Sequence, residues 1–284
     1  MQTMLNMLKM DLYRMIHTKS MYVIGIILMG MLLFTTSLNA SEWESMQNNA
    51  TEEEQMAEIV SDDTVNIGMS VILPTEPGGK VTVFDQIYSN MQAKFFALFM
   101  VLFAVLFSTA DITSGYVKNI AGQVRDRSYL VISKAVVLIV YTVITMFGII
   151  LVQAVANRLF YGYLEWGNLK DFAGYTGIQT LLHCALVLVA MTIAIILKNN
   201  VWSITIVVCL CMNLSVVLYN GIDKLLHGMG VKDFQLSKYT PTGNITLLTM
   251  EPGGKGYVTA FVTGIIFLII MPVLSGYVFK KRDI

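Results

Sequence analysis

Charged residues are scarce in this chain of 284 residues: they make up 13% of it, against 55% hydrophobic residues, and the mean hydropathy is +0.65. A soluble globular domain carries about 25% charged residues. The shortage argues against a soluble enzyme and favours a protein that crosses a membrane several times. The charges also balance, with 19 Lys and Arg against 19 Asp and Glu, so no overall basic charge points to a nucleic-acid partner.

Cysteines and catalytic motifs are scarce as well. The three cysteines lie inside apolar stretches and form neither a disulfide framework nor a CxxC metal pair, so we interpret them as packing residues. The sequence has no HExxH and no pair of intramembrane aspartates. We therefore predict no catalytic residue, no metal site and no cofactor bound by this chain, which is not an enzyme by itself.

Six long gaps between charged residues predict the membrane spans. A spanning helix needs about 20 residues, with a range of roughly 17 to 25. Five of the gaps reach that length, and the second, with 16 residues, has to borrow a flanking turn. We predict an all-α polytopic membrane protein with six transmembrane helices, at residues 20–38, 95–110, 135–157, 172–197, 201–219 and 257–279.

The distribution of the basic residues predicts the orientation of these helices. An even number of spans places both termini on one side. With cytoplasmic termini, the inner segments hold eleven Lys and Arg, and the outer segments hold six when the long first loop is set aside. This bias follows the positive-inside rule, so we expect both termini in the cytoplasm.

Residues 1–19 are not apolar enough to span. At 100° per residue their apolar side chains fall in one stripe about 120° wide, which predicts an amphipathic helix lying in the headgroup region of membrane lipid. An ordinary cytoplasmic helix packed on protein is the alternative. The stripe consists of Met4, Leu5, Leu8, Leu12, Met15 and Ile16.

Three of the five segments between the spans are long, and they differ in character. The first outer loop, residues 39–94, holds ten acids and two lysines, and we expect an extracellular cap there. The last outer loop, residues 220–256, is half-apolar, which suits short helices that re-enter the membrane under a cover of protein. Residues 111–134 form the largest cytoplasmic segment between spans, so a cytoplasmic partner would dock mainly there.

The spans themselves hold no Asp, Glu, Lys or Arg in their cores. Ion-coupled carriers usually place such groups near the midplane, so the chain lacks an energy source of its own. We interpret His183 and Gln153 as helix–helix hydrogen-bonding residues. If the spans surround a cavity, His183 and Asn213 are the polar residues that we expect to line it.

At this point the sequence resembles a known family. The general features that resemble it are an N-terminal amphipathic helix, six spans, a long first outer loop and Lys238-Tyr239-Thr240-Pro241. The most specific feature is the stretch after the second span, where Asp111 precedes Gly-Tyr-Val-Lys-Asn and then Arg-Asp-Arg-Ser-Tyr. The whole chain is similar to the permease subunits of type-2 ABC exporters. The larger outer loop resembles bacterial exporters of antimicrobial or amphipathic peptides, including phenol-soluble-modulin exporters.

The resemblance implies a function and partners. Residues 1–19 would form the elbow helix, and residues 111–134 would hold the coupling helix that sits on a separate cytoplasmic ATPase. Two ATPase copies, which bind ATP and Mg, would act with a second permease copy or a paralogue in a bacterial plasma membrane. The coupling residues implied are Asp111, Gly115, Lys118, Asn119, Arg125, Asp126 and Arg127.

Two other functions stay open at the level of the sequence. A non-transporting scaffold or sensor would bind a ligand on its acidic extracellular cap and have no ATPase partner. A secondary carrier would need an inverted repeat between triplets of spans, and the sequence displays none.

Overall fold

The structure, a computed structural model, is built of helices, with no strand in the part of the chain that it describes. It describes residues 2–48, 71–76, 78–113, 115, 128–212, 214–228, 234–251 and 253–281.

The chain order of the elements is simple, and most helices are long. The α-helices are α1 Gln2–His17, α2 Lys19–Asn48, α3 Val83–Gln92, α4 Phe95–Thr113, α5 Ser128–Phe160, α6 Leu169–Leu197, α7 Asn200–Cys211, α8 Leu214–Gly228, α9 Pro241–Leu247 and α10 Lys255–Lys280, with a 3-10 helix Leu236–Tyr239 before α9.

Four helices are long and apolar enough to cross a membrane, namely α2 (over Lys19–Ser45), α5, α6 and α10. Two further pairs reach that standard only together: α3 with α4, bent by 56°, and α7 with α8, also sharply bent. By length and composition, the described residues therefore provide four candidate spanning helices, or up to six if each bent pair makes one crossing. This is compatible with a multi-pass membrane protein, and the count of six stays a prediction.

The fifth predicted span differs most from the structure. Instead of one helix over residues 201–219, α7 ends at Cys211 and α8 begins at Leu214 in another direction. Hydropathy measures how apolar a stretch is and not where its axis points, and both sides of the break are apolar. Only Ser215 of α8 is buried, so α8 lies along the edge of the molecule.

Helix α6 forms the centre of the bundle. It is the most buried of the four long helices and packs against α10, α4 and α5. Ser275 of α10 donates a hydrogen bond to Thr192 of α6 over 2.8 Å. Gly264 brings α10 close to α6, because a Cβ atom there would lie 2.8 Å from the Leu181 side chain.

Helix α1 packs along the first turns of α5. Its buried face holds Met7, Asp11 and Met15, at four-residue spacing, and Leu5 and Ile16 on another face are about half exposed. One edge of the apolar stripe of α1 therefore packs against the bundle, and the other edge faces outward. A helix with this division fits the predicted position at a membrane surface, which stays a prediction.

Hydrogen bonds join the second half of α2, the first turn of α3 and the residue after the end of α5. Asn39 donates to Gln86 over 3.0 Å, and Gln86 donates to the Tyr161 hydroxyl over 2.8 Å. A capping box between Thr82 and Asp85 fixes the start of α3. The described part of the predicted cap therefore contains helix α3, which is hydrogen-bonded to the rest of the bundle. The acidic segment 49–70 lies outside the described residues.

Candidate functional site

Several charged side chains meet inside the bundle, where α1 and the ends of α4 and α5 come together. We call this group the ionic cluster, and define it as Asp11, Arg14, Asp111, Ser133 and Lys134. Helix α1 provides the first two residues, the last turns of α4 provide Asp111, and the second turn of α5 provides Ser133 and Lys134.

Asp111 is the centre of the ionic cluster. One of its carboxylate oxygens accepts a hydrogen bond from the Arg14 guanidinium, and the other lies 2.5 Å from the Lys134 ammonium. Lys134 also donates to the Phe107 carbonyl oxygen over 3.3 Å, and its ammonium stands 5.1 Å from the centre of the Phe107 ring. The carboxylate therefore joins α1, α4 and α5 through two cations.

A second contact joins α1 directly to α5. The Ser133 hydroxyl donates to the Asp11 carboxylate over 2.6 Å, and Arg14 Nη1 lies 3.8 Å from that carboxylate. Burial in apolar surroundings raises the pKa of Asp11, against the opposing effects of the Ser133 hydrogen bond and the Lys134 charge. The position of α1 thus depends on a carboxyl group whose ionised form is costly to bury.

The ionic cluster is deeply buried and electrically balanced. Asp11 is 2% exposed, Lys134 6% and Asp111 8%, while the Arg14 side chain keeps 28% of its surface. Two carboxylates face two cations, so the charges cancel. Removing one partner from such a group leaves an uncompensated buried charge, which costs about 3–5 kcal/mol. The ionic cluster therefore fixes how the three helix segments are arranged.

The ionic cluster lies at both ends of the predicted coupling segment, residues 111–134. Asp111 is the first residue of that segment and Lys134 is the last. Gly115 follows the end of α4 with a φ of +70°, a conformation that L side chains rarely adopt. The other predicted coupling residues, Lys118, Asn119, Arg125, Asp126 and Arg127, lie outside the described residues.

Four of the five cluster residues were not singled out from the sequence. Counting gaps between charges treats Asp111 and Lys134 as markers of span ends and does not ask whether they meet. A signal for Asp11 does exist, because this acid has Met7 and Met15 four residues away on either side, on the same helix face. Nothing local indicates Ser133, whose partner is 122 positions away.

The polar residues inside the predicted spans differ in the hydrogen bonds that they form. Gln153 donates to Thr36 of α2 over 3.0 Å, so it forms the expected helix–helix hydrogen bond. His183 instead donates through Nδ1 to the Gln179 carbonyl oxygen of its own helix over 2.7 Å. Gln179 makes the contact between elements, donating to the Ile245 carbonyl oxygen of α9 over 3.0 Å. Asn213 lies outside the described residues, and the cavity lining stays a prediction.

No group of three or more His, Cys, Asp or Glu residues that could hold a metal ion occurs within the described ranges. The chemistry of the ionic cluster is that of ion pairing, since Asp111 and Asp11 are already engaged with cations and a hydroxyl. The ionic cluster thus joins α1, α4 and α5 by ion pairs and one hydrogen bond.

A family model described as "Protein of unknown function (DUF2705)" matches residues 55–284. The chain belongs to this family. The DUF2705 match includes Asp111, Ser133 and Lys134 and begins after α2, so the α1 half of the ionic cluster lies outside it. Curated proteins offer no match to the sequence.

Proposed function

We propose that this chain is the membrane-spanning permease subunit of an ATP-driven exporter of the type-2 ABC kind. The observation that carries the proposal is the ionic cluster, which joins the two ends of residues 111–134 to each other and to α1. A segment held in this way is a suitable receiver for force from a cytoplasmic partner. Its substrate would be an amphipathic peptide or a hydrophobic drug-like molecule that leaves the cell.

Coupling would proceed through rigid helix movement. ATP and Mg bind to the partner ATPase subunits, and their closure displaces residues 111–134. Because Asp111 is bonded to both Arg14 and Lys134, α4, α5 and α1 shift together. The bundle then exchanges between an inward-open and an outward-open arrangement, which is a shift between two populations.

The assembly that we propose contains two ATPase copies and two permeases, the second being a copy of this chain or a paralogue. Gly115, Lys118, Asn119, Arg125, Asp126 and Arg127 would belong to the docking surface. His183 and Asn213 would lie beside the substrate path. The chain would reside in the bacterial plasma membrane with both termini in the cytoplasm, and the half-exposed Leu5 and Ile16 of α1 would contact lipid.

The first experiment is purification of the tagged chain in mild detergent, followed by identification of co-purifying ATPases and an assay of ATP turnover. We expect an ABC ATPase to co-purify, and we expect replacement of Arg125, Asp126 and Arg127 by Ala to release it or to abolish substrate-dependent turnover. The matched control removes the exposed ion pair between Lys80 and Glu165, whose charged atoms lie 3.6 Å apart at the other end of the bundle.

Two results would overturn the proposal. One is the absence of any ATPase from the purified chain under conditions that keep its fold, which would favour a scaffold or sensor that uses the acidic loop. The other is an equal loss of turnover in the Lys80→Ala, Glu165→Ala control, which would show a general effect of charge removal.

A further inference from the structure

Four uncharged polar side chains lie buried between α2, α3 and α5, toward the end of α5 that is remote from the ionic cluster. We call them the polar layer, and define it as Thr36 of α2, Asn90 of α3, and Gln153 and Asn157 of α5. All four residues are 0% exposed. A buried polar atom without a hydrogen bond costs free energy, and water cannot supply that bond from a lipid interior. The partner of each polar atom in the layer is therefore informative.

A chain of hydrogen bonds through the polar layer fixes which way its amides are turned. The hydroxyl proton of Thr36 is donated to the Leu32 carbonyl oxygen over 2.8 Å. Thr36 therefore accepts from Gln153, whose Nε2 lies 3.0 Å from the hydroxyl oxygen. The same nitrogen donates to Asn157 Oδ1 over 2.9 Å. Gln153 is thus left with its carbonyl oxygen Oε1, and Asn157 with its amide nitrogen Nδ2.

Asn90 lies at the same level of the bundle as Asn157. The first turn of α3 is bonded to Tyr161, just after α5, because Gln86 donates to that hydroxyl. The end of α4 is bonded to Lys134 near the start of α5, so the α3–α4 pair runs opposite to α5. Asn90 is one turn inward from Gln86, as Asn157 is from Tyr161, and α3 packs against α5. Asn90 Nδ2 donates to the Gln86 carbonyl oxygen over 2.8 Å, which leaves Asn90 with Oδ1.

Three atoms of the polar layer have no hydrogen-bond partner among the described residues: Gln153 Oε1, Asn157 Nδ2 and Asn90 Oδ1. Two of these atoms accept hydrogen bonds and one donates. The donor disfavours a bound cation and the two acceptors disfavour an anion. An ion would also be buried without a counter-charge, because the layer contains no Asp, Glu, Lys or Arg. The occupant that matches these atoms is a neutral group that both donates and accepts.

We propose that the polar layer is a binding site for a neutral hydroxyl, and that its occupant is water. A buried water typically makes about three hydrogen bonds to polar groups that lack other partners, and the layer offers two acceptors and one donor. The hydroxyl of a larger solute has the same chemistry, so the test has to distinguish these two sources. The inference does not depend on the exporter function or on an ATPase.

The test measures how fast methyl methanethiosulfonate modifies Asn157→Cys in the full-length chain, purified in mild detergent without added solute. The background has Cys184, Cys209 and Cys211 replaced by Ala, and modification is followed by mass spectrometry. The reagent reacts with the thiolate, which forms in contact with water and not in dry apolar packing. A site that only a larger solute fills would be dry in this preparation.

Two cysteine variants in α5 provide matched controls. Ala156 is the neighbour of Asn157 on a different face, and Ile149 is one turn inward from Gln153; both are 0% exposed. We expect Asn157→Cys to react about tenfold faster than Ala156→Cys and Ile149→Cys. General loosening of α5 would label Ala156→Cys as fast as Asn157→Cys. The proposal is overturned if Asn157→Cys reacts no faster than these controls.

A second measurement uses the sign of a stability change and introduces no cysteine. Asn90→Leu keeps the shape of the side chain and removes the free Oδ1. If water binds that oxygen, the variant loses a hydrogen bond, and the unfolding temperature should fall by about 3 °C. If the oxygen is unpaired in a dry layer, leucine relieves its cost and the unfolding temperature should rise. A rise would contradict the proposal.

Discussion

Replacement of Asp111 by Asn tests whether the ionic cluster holds α1, α4 and α5 together. Asn keeps the size of the side chain but removes the charge that two cations share. Loss of a buried partner costs about 3–5 kcal/mol. We expect the lower end, about 3 kcal/mol, because Arg14 is 28% exposed and can turn toward solvent, and because Lys134 keeps its bond to the Phe107 carbonyl oxygen.

The double variant makes the test specific. In Asp111→Asn, Lys134→Met the second change removes the cation that the first leaves uncompensated. Its cost should therefore fall short of the sum of the two single changes by about 2 kcal/mol, within the range measured for contacting residues. The assay is unfolding of the purified chain in a denaturing detergent, followed by circular dichroism.

The matched control is the exposed pair Lys80–Glu165, whose side chains are 69% and 49% exposed. Exposed pairs contribute about 0–1 kcal/mol, so Lys80→Met and Glu165→Gln should show almost no coupling. Additive costs for Asp111→Asn and Lys134→Met, or a coupling no larger than in the control, would refute the view that Asp111 organises the ionic cluster.

Three further outcomes are expected. Burial raises the pKa of Asp11 above its usual value of 3.8, so its contribution to stability is present at low pH and is lost as the pH rises through that pKa. In Asp11→Asn the unfolding midpoint should therefore depend less on pH when the pH is raised above about 4. Gly115→Ala should cost about 1 kcal/mol because of the φ of +70°, whereas Gly177→Ala, inside α6 with open space around it, should stabilise in the same assay. Tyr161→Phe should cost about 1 kcal/mol by removing the hydroxyl that accepts from Gln86.

The long helices could be predicted from the sequence because the thickness of a bilayer sets a length that apolar stretches must match. Helices α2, α5, α6 and α10 contain the predicted spans. Helices α2 and α5 are longer than their predicted spans by 11 and ten residues, and α6 and α10 by three residues each. The extensions were missed because helical structure continues into polar residues such as Asn39, whose hydrogen bond to Gln86 depends on a distant part of the chain.

The bends and the buried charges could not be predicted in the same way. In the sequence, Lys94 and Lys134 mark the ends of apolar stretches, which predicts that they lie at the membrane surface. In the folded chain each lysine is nearly inaccessible to solvent. The burial of Lys134 follows from a partner that folding brings to it, the carboxylate of Asp111. A pattern of apolar residues predicts which stretches are buried, but it does not predict which charged side chains are buried with them.

Helix α5 links the two ends of the bundle as one continuous rod. It has 33 residues and so is about 50 Å long, well beyond the roughly 30 Å of a hydrocarbon core. Ser133 and Lys134 sit near its first turn, and Tyr161 follows its last. If the rod pivots by about 5° at the ionic cluster, the Tyr161 end travels about 4 Å. Leverage along a single helix would then deliver a sideways displacement across the whole membrane, with no relay of rearranging side chains between the two ends.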